Sequence, residues 1–263
     1  MIKMKKILGT VPFINCHPLN YAIDSSSLKL LYSVPSNLLN LLKKEKVNLS
    51  LLPIADHIEN SSIYSLENKC ISSIGKVDSV ILISNTELKN IENLYLDTRS
   101  KSSNLLTRII FNEFLDLAPN LKTFSPSKNI KIENNSGYVV IGDLGLEITY
   151  ASPIGLKIYD LGEIWFNETN LPFTFASYNY IEKPNSILIK NLENSYNDGI
   201  KNINHIVENI YENKLINLEK KIIEKYLSER IVYEFSKKHK EGIDLYMKLA
   251  SNIIEIERNV FNG

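Results

Sequence analysis

Short apolar runs alternate along this chain with longer stretches whose apolar positions recur every three or four residues. Lys6 to Val11 reads as a strand that stops at Pro12, and Leu28 to Tyr32 as a second. A helix follows, with Ser33 as its cap and Pro35 near its first turn, and Leu38, Leu41 and Leu42 fall on one face. Leu49-Ser50-Leu51-Leu52 is short, apolar and closed by Pro53, the signature of a buried strand. This β-α-β order predicts parallel strands joined by crossover helices.

Val80 to Ser84 reads as a further strand, and the pattern then repeats with different spacing. Leu94-Tyr95-Leu96 reads as a strand and Asp97 to Ser103 as a polar loop. Asn104 to Leu115 is an amphipathic helix carrying Leu105, Ile109, Phe111 and Leu115. Tyr138 to Ile141 is a strand that runs into Gly142-Asp143, and Phe173 to Tyr178 is an aromatic-rich strand. From Asn191 onward the chain reads as helical and lysine-rich, with few turn signals between Asn213 and Phe261. The sum is two α/β units joined near residues 85–95 and again near 170–180. The first lobe is then discontinuous, formed by residues 1–88 and 178–263 with the C-terminal helices, and the second spans 89–177. That order predicts the two-lobed α/β topology of type II periplasmic binding proteins, whose ligand sits between lobes that close about a hinge. A single doubly wound domain is the rival architecture.

Composition narrows the range of functions. The 263 residues are 44% hydrophobic and 23% charged, enough apolar material for one large core or two modest ones. Lys and Arg total 30 and Asp and Glu total 30, so there is no basic excess to suggest nucleic acid. The runs Lys43-Lys44-Glu45-Lys46 and Lys237-Lys238-His239-Lys240 read as solvated helix faces. Met1 to Ile14 faintly resembles a signal peptide, but Pro12 interrupts the apolar run and no small-x-small site follows. No stretch approaches the roughly 20 apolar residues that span a bilayer. A cytosolic protein with no membrane partner is expected, as a monomer or homodimer. Cys16 and Cys70 form neither a disulfide framework nor a metal site.

No nucleophile elbow, phosphate loop, zinc motif or C-x-x-C is present, and the ten glycines form no dinucleotide fingerprint. The four histidines lack ligand spacing, and His57 and His239 read as surface residues. Neither a metal nor a cofactor is expected. The candidates are instead polar residues at strand ends, where open α/β sheets bind ligands. Asn15, in Gly9 to Leu19, offers an amide donor and a carbonyl acceptor, or else caps the helix begun at Pro18. His17 reads as packed or capping. Ser100-Lys101-Ser102-Ser103 precedes a long helix and suits a carboxylate, with charge from Lys101 or Arg99. Taken alone, one capping serine with the others exposed is the commoner arrangement. Ser79 enters a strand, where it holds a ligand or bonds the local backbone. Asp143, after Gly142, orients a hydroxyl or caps the following helix.

Together these segments resemble the chorismate dehydratases. Val11-Pro12-Phe13-Ile14-Asn15-Cys16-His17-Pro18-Leu19 is similar to their V-P-Y-L-N-x-x-P-L, and Ile74 to Val80 to their G-x-V-x-S-V. Asp97 to Leu105 resembles D-x-x-S-R-T-S-x-x-L, and Ile141-Gly142-Asp143 matches I-G-D. Tyr159 to Trp165 with Thr169 to Ala176 resembles D-L-G-x-x-W-x-x-x-T-G-L-P-F-V-F-A. The order and approximate spacing agree from residue 9 to about 180; no single motif is specific, but the ordered set is. Lys101 and Ser102 stand where the family usually has Arg and Thr, so a planar bidentate grip on a carboxylate is lost if that Arg makes one. Asn170 replaces a common Gly, which an αL backbone tolerates.

The resemblance implies the two-lobed fold and conversion of chorismate to 3-[(1-carboxyvinyl)oxy]benzoate in menaquinone biosynthesis. It also implies that Asn15 and Ser79 lie at the reacting centre and that Ser102 and Ser103 bind carboxylate. The alternatives are a sister enzyme of the type that makes 1,4-dihydroxy-6-naphthoate, or a cytosolic carboxylate-binding protein without catalysis.

Overall fold

The computed structural model describes residues 5–261 except 59, 128 and 129, with side chains described to residue 254. The first residues of the leader-like run therefore lie outside the described residues. In chain order the strands are β1 (Lys6–Thr10), β2 (Leu28–Tyr32), β3 (Leu49–Pro53), β4 (Tyr64–Ser73), β5 (Val80–Ser84), β6 (Asn93–Asp97), β7 (Asn120–Phe124), β8 (Ser136–Ile141), β9 (Lys157–Asp160), β10 (Phe173–Tyr180) and β11 (Val232–Glu234). The helices are α1 (His17–Asn20), α2 (Pro35–Lys43), α3 (Lys101–Ile109), α4 (Gly142–Ala151), α5 (Leu161–Thr169), α6 (Ser186–Lys201), α7 (Ile203–Glu212), α8 (Lys220–Lys225) and α9 (Lys237–Phe261).

The strands form two sheets, ordered β11-β4-β10-β3-β1-β2 and β7-β6-β8-β5-β9. The two share one plan. In each, a central strand pairs in parallel with two neighbours: β1 with β2 and β3, and β6 with β7 and β8. One antiparallel strand is then inserted next to the third, β10 against β3 and β4, and β5 against β8 and β9. The chain passes between the sheets after β4 and again before β10. Val80–Ser84, grouped by its pattern with the first unit, is therefore a strand of the second sheet.

Local chemistry explains most boundaries. Pro35 sits at the start of α2, although Ser33 does not cap it; its Oγ instead accepts from the Asn37 amide at 3.0 Å. Asp160 caps α5 by accepting from the Glu163 N–H at 3.0 Å, and Asn170 ends that helix in the αL region at φ 56°. Asn185 caps α6 through the Leu188 N–H, which starts the tail earlier than its sequence pattern indicated. The tail is also not wholly helical: β11 completes the first sheet against β4. Helix α3 begins at Lys101, so the polar stretch ending at Ser103 is half loop and half first helical turn. Trp165 is buried among Phe114, Phe173 and Tyr246, which joins α5, β10 and α9 in one core. His239 is 2% exposed rather than on the surface, with Nε2 3.0 Å from Ser72 Oγ and Nδ1 2.8 Å from Ser236 Oγ, and His57 is half-buried.

Candidate active site in the cleft

Strand β1 ends before Pro12, and the chain then makes a 3-10 turn over Ile14–Cys16 before α1. Asn15 caps nothing. Its Nδ2 donates to Tyr226 Oη at 3.2 Å, and its Oδ1 accepts from Cys16 Sγ at 3.4 Å. Tyr226 in turn donates to Ser79 Oγ at 2.8 Å. All three side chains are buried.

Ser79 is fixed from several sides. Asp78 before it adopts φ 61°, and its carboxylate accepts from Arg230 Nε at 2.7 Å and Tyr150 Oη at 3.0 Å. Asp160 Oδ2 accepts from the backbone N–H groups of Val77 and Asp78 at 3.0 and 2.7 Å. Helix α4 packs so closely on this loop that a Cβ on Gly145 would sit 2.5 Å from the Ser79 carbonyl oxygen.

Two helix N-termini from the second lobe face the same space. Ser100 caps α3, its Oγ accepting from the Ser103 N–H at 3.2 Å. Ser102 reaches across the cleft, where its Oγ accepts from the Ala55 N–H at 3.1 Å. Gly142 opens α4 at φ 68°, with the Phe13 ring 2.8 Å from the position of any added Cβ. Asp143 Oδ1 accepts from the Ile14 N–H at 3.2 Å, tying α4 to the first lobe.

Between these elements lies a cavity of about 80 Å³. Its polar wall is Asn15, Cys16, Ser79, Ser100, Ser102 and Ser103, with Gly142 beside them. The remainder is apolar, including Val11, Phe13, Ile141 and Phe175. Among the described residues of this wall none is Asp, Glu, His, Lys or Arg. Lys101 is turned away to Asp56, its Nζ 2.8 Å from Oδ1, and Arg99 grips Asp97 with Nε and Nη2 at 2.9 and 2.7 Å. With both cations engaged elsewhere, the groups left to attract an anion are first-turn N–H groups that no carbonyl of their own helix can reach.

Burial governs the titrating groups nearby. It pushes the Cys16 thiol up to about 12, with the Asp143 carboxylate adding to the shift, so this thiol stays protonated at neutral pH. Burial also raises Asp143 to about 6, opposed by its bond from Ile14, and raises the Tyr226 hydroxyl despite its bonds to Ser79 and Asn15. Burial lowers His17, which lies off this wall.

Six of the eight residues that the sequence singles out, Asn15, Ser79, Ser100, Ser102, Ser103 and Gly142, meet at this cavity, and Lys101 and Asp143 flank it. Tyr226 was not legible. It stands with Ile222, Ile223 and Leu227 at spacings that read as ordinary helix core, and no local motif marks it as polar machinery. Among the described residues no group of acidic, His or Cys side chains is arranged to hold a metal ion, and no helix is long and apolar enough to cross a membrane.

Two sheets of one plan with a polar-tipped cavity between them define a two-lobed protein of the periplasmic-binding-protein type. Solved structures carry the same fold. An Archaeoglobus fulgidus protein superposes with a TM-score of 0.73 at 12% identity, covering 94% of this chain and 97% of that one. The periplasmic aliphatic sulphonate binding protein of Escherichia coli superposes with a TM-score of 0.62 at 12% identity, covering 97% and 88%. The chain belongs to the menaquinone biosynthesis family, whose model matches residues 7–252. A curated relative, the chorismate dehydratase of Thermus thermophilus, is 24% identical over 219 residues, which covers 77% of this chain and 80% of the relative. A second, from Campylobacter jejuni and also named chorismate dehydratase, is 29% identical over 119 residues, 45% of this chain and 51% of the relative.

Proposed function

We propose that this protein is a chorismate dehydratase, a carbon–oxygen lyase that removes water from chorismate to give 3-[(1-carboxyvinyl)oxy]benzoate. The observation that carries this reading is the pairing of Asn15 and Ser79 through Tyr226 at the wall of a cavity that two helix N-termini also face. The names of the curated relatives support the same reaction.

The chemistry suits a wall without ionisable carboxylates or imidazoles. Loss of the ring hydroxyl and of one ring proton converts a cyclohexadiene to a benzene ring, so aromatisation supplies much of the driving force. The protein then has to anchor two carboxylates and orient the leaving hydroxyl over the ring. Ser100, Ser102 and Ser103 with the first turn of α3, and Gly142 at the start of α4, are the anchoring groups. Asn15 and Ser79 are the catalytic residues that contact the reacting centre, where Ser79 donates to the departing oxygen. The ring proton goes to a carboxylate of the substrate itself, which returns it to the leaving hydroxyl as water forms. Cys16 cannot take it, because its thiol holds its own proton far above neutral pH.

The test is incubation of the purified protein with chorismate, following the enolpyruvyl-benzoate by chromatography and ultraviolet absorbance. Product above a protein-free control is the expected result. Thermal stabilisation by chorismate without product would reduce the protein to a binder on the same fold, and neither would remove chorismate as its ligand.

A further inference from the structure

Tyr226 and Arg230 occupy the two ends of one π turn, Tyr226–Arg230, which follows α8. Their side chains grip consecutive residues of the loop before β5: Arg230 Nε holds Asp78 at 2.7 Å and Tyr226 Oη holds Ser79 at 2.8 Å. A π turn places residues in a spacing that an α-helix does not offer, and such turns recur at functional sites. Here the turn comes from the C-terminal segment, far in sequence from both residues that it holds. The held residue Asp78 is in the αL region at φ 61°, a conformation that persists only when its surroundings fix it.

The direction of the hydrogen bonds follows from the donor inventory. The Asn15 Nδ2 group only donates, and its assignment is supported by the Cys16 thiol donating to Oδ1 on the other side. Tyr226 Oη therefore accepts from Asn15, and its one proton is committed to Ser79 Oγ. Ser79 Oγ accepts, so its own proton is left to point elsewhere, and its side chain stands on the cavity wall. Bonds running in one direction polarise one another, which makes the last donor in the row the strongest.

We infer that Tyr226 is a positioning residue that fixes Ser79 as a donor toward the cavity, by a one-way row from Asn15 through Tyr226 to Ser79. This inference rests on the dehydratase reading and deepens it. Without the phenol, the Ser79 hydroxyl loses the donor that fixes its orientation and is free to turn its proton away from the cavity, so the substrate loses an oriented donor while its carboxylate anchors are untouched.

The experiment compares chorismate turnover by wild type, Tyr226→Phe, Ser79→Ala and the double variant. Tyr226→Phe is expected to lower kcat by about tenfold or more with KM within about twofold, because the lost interaction develops in the transition state. In the Ser79→Ala background the same change is expected to cost nothing further. Replacement of Tyr226 by 3-fluorotyrosine keeps the ring and hydroxyl with a stronger donor, and is expected to raise kcat at unchanged KM; this arm decides the matter if Tyr226→Phe does not fold. Wild-type kcat in Tyr226→Phe, an equal loss in both backgrounds, or no response to fluorination would overturn the role of Tyr226 while the dehydratase reading stands. Absence of turnover by the wild type would overturn both.

Discussion

Lys101 Nζ lies 2.8 Å from Asp56 Oδ1, and this pair joins the first turn of α3 to the 3-10 turn Ile54–His57 on the opposite side of the cleft. The partners differ in environment: the Asp56 side chain is 1% exposed and that of Lys101 54%. Among the described residues Asp56 Oδ2 has no hydrogen-bond partner, and Lys101 is a cation that compensates the buried charge. Beside it, Ser102 Oγ accepts from the Ala55 N–H, and the Ser102 carbonyl accepts from Tyr246 Oη at 3.2 Å. These contacts hold the lobes together around the cavity.

Removal of the Lys101 ammonium leaves a buried carboxylate without its counter-charge. Lys101→Ala is expected to lower unfolding free energy by about 1–2 kcal/mol, below the cost of breaking one partner of a fully buried pair, since the ammonium is half-exposed. Asp56→Asn in the same background is expected to restore part of that loss. Urea unfolding of the three proteins checks both. Equal stability of Lys101→Ala and wild type would show the pair to be a surface contact of no consequence.

Asp143 gives the stability of the fold a signature in pH. Its folded-state value is raised from 3.8 to about 6, chiefly by burial, so the folded protein holds this proton more tightly than the unfolded chain does. The contribution of the protonated carboxyl is therefore complete below about pH 4 and is lost as pH rises to about 6 and beyond. Asp143→Asn keeps an oxygen to accept from Ile14 and has no charge to desolvate. Relative to wild type, this variant is expected to gain stability between pH 4.5 and pH 7, measured as the difference in urea midpoints. A difference independent of pH would show that Asp143 ionises freely in the folded state.

The packing of α4 on the Ser79 loop leaves no room for a methyl group at Gly145, where a Cβ would meet backbone rather than a movable side chain. Gly145→Ala is expected to displace Ser79 and to lower turnover of chorismate by at least about tenfold, with a loss of stability of about 1–3 kcal/mol from overpacking. Kinetics and thermal melting on the same preparation check the two effects. Unchanged turnover would mean that the position of Ser79 is not critical.

The sequence was most informative where a local pattern and a local structure coincide. Leu28–Tyr32, Leu49–Pro53 and Val80–Ser84 are strands over those residues because apolar runs bounded by proline or polar residues leave few other solutions. Strand β4, polar over its first half, and the short or polar edge strands β7, β9 and β11 are not readable, since tertiary pairing rather than their own pattern recruits them to a sheet. The sheet to which Val80–Ser84 belongs is not legible for a related reason: an inserted antiparallel strand looks the same in sequence whichever sheet accepts it. At the site, residues that lie at strand ends and helix starts were legible as motifs. Tyr226 was not, because its role comes from contacts to Asn15 and Ser79, distant in the chain, made by a residue whose neighbours read as core. Lys101 was legible as a charge near a helix start, but its direction was not, since Asp56 that captures it lies in another lobe.

The proposed reacting centre of Asn15 and Ser79 is tested by turnover of chorismate by Asn15→Ala and Ser79→Ala beside the wild type, with each variant shown by thermal melting to be folded. A fall in kcat of about a hundredfold is expected in each, the scale of losing one oriented donor at a transition state. Wild-type turnover by both folded variants would contradict it.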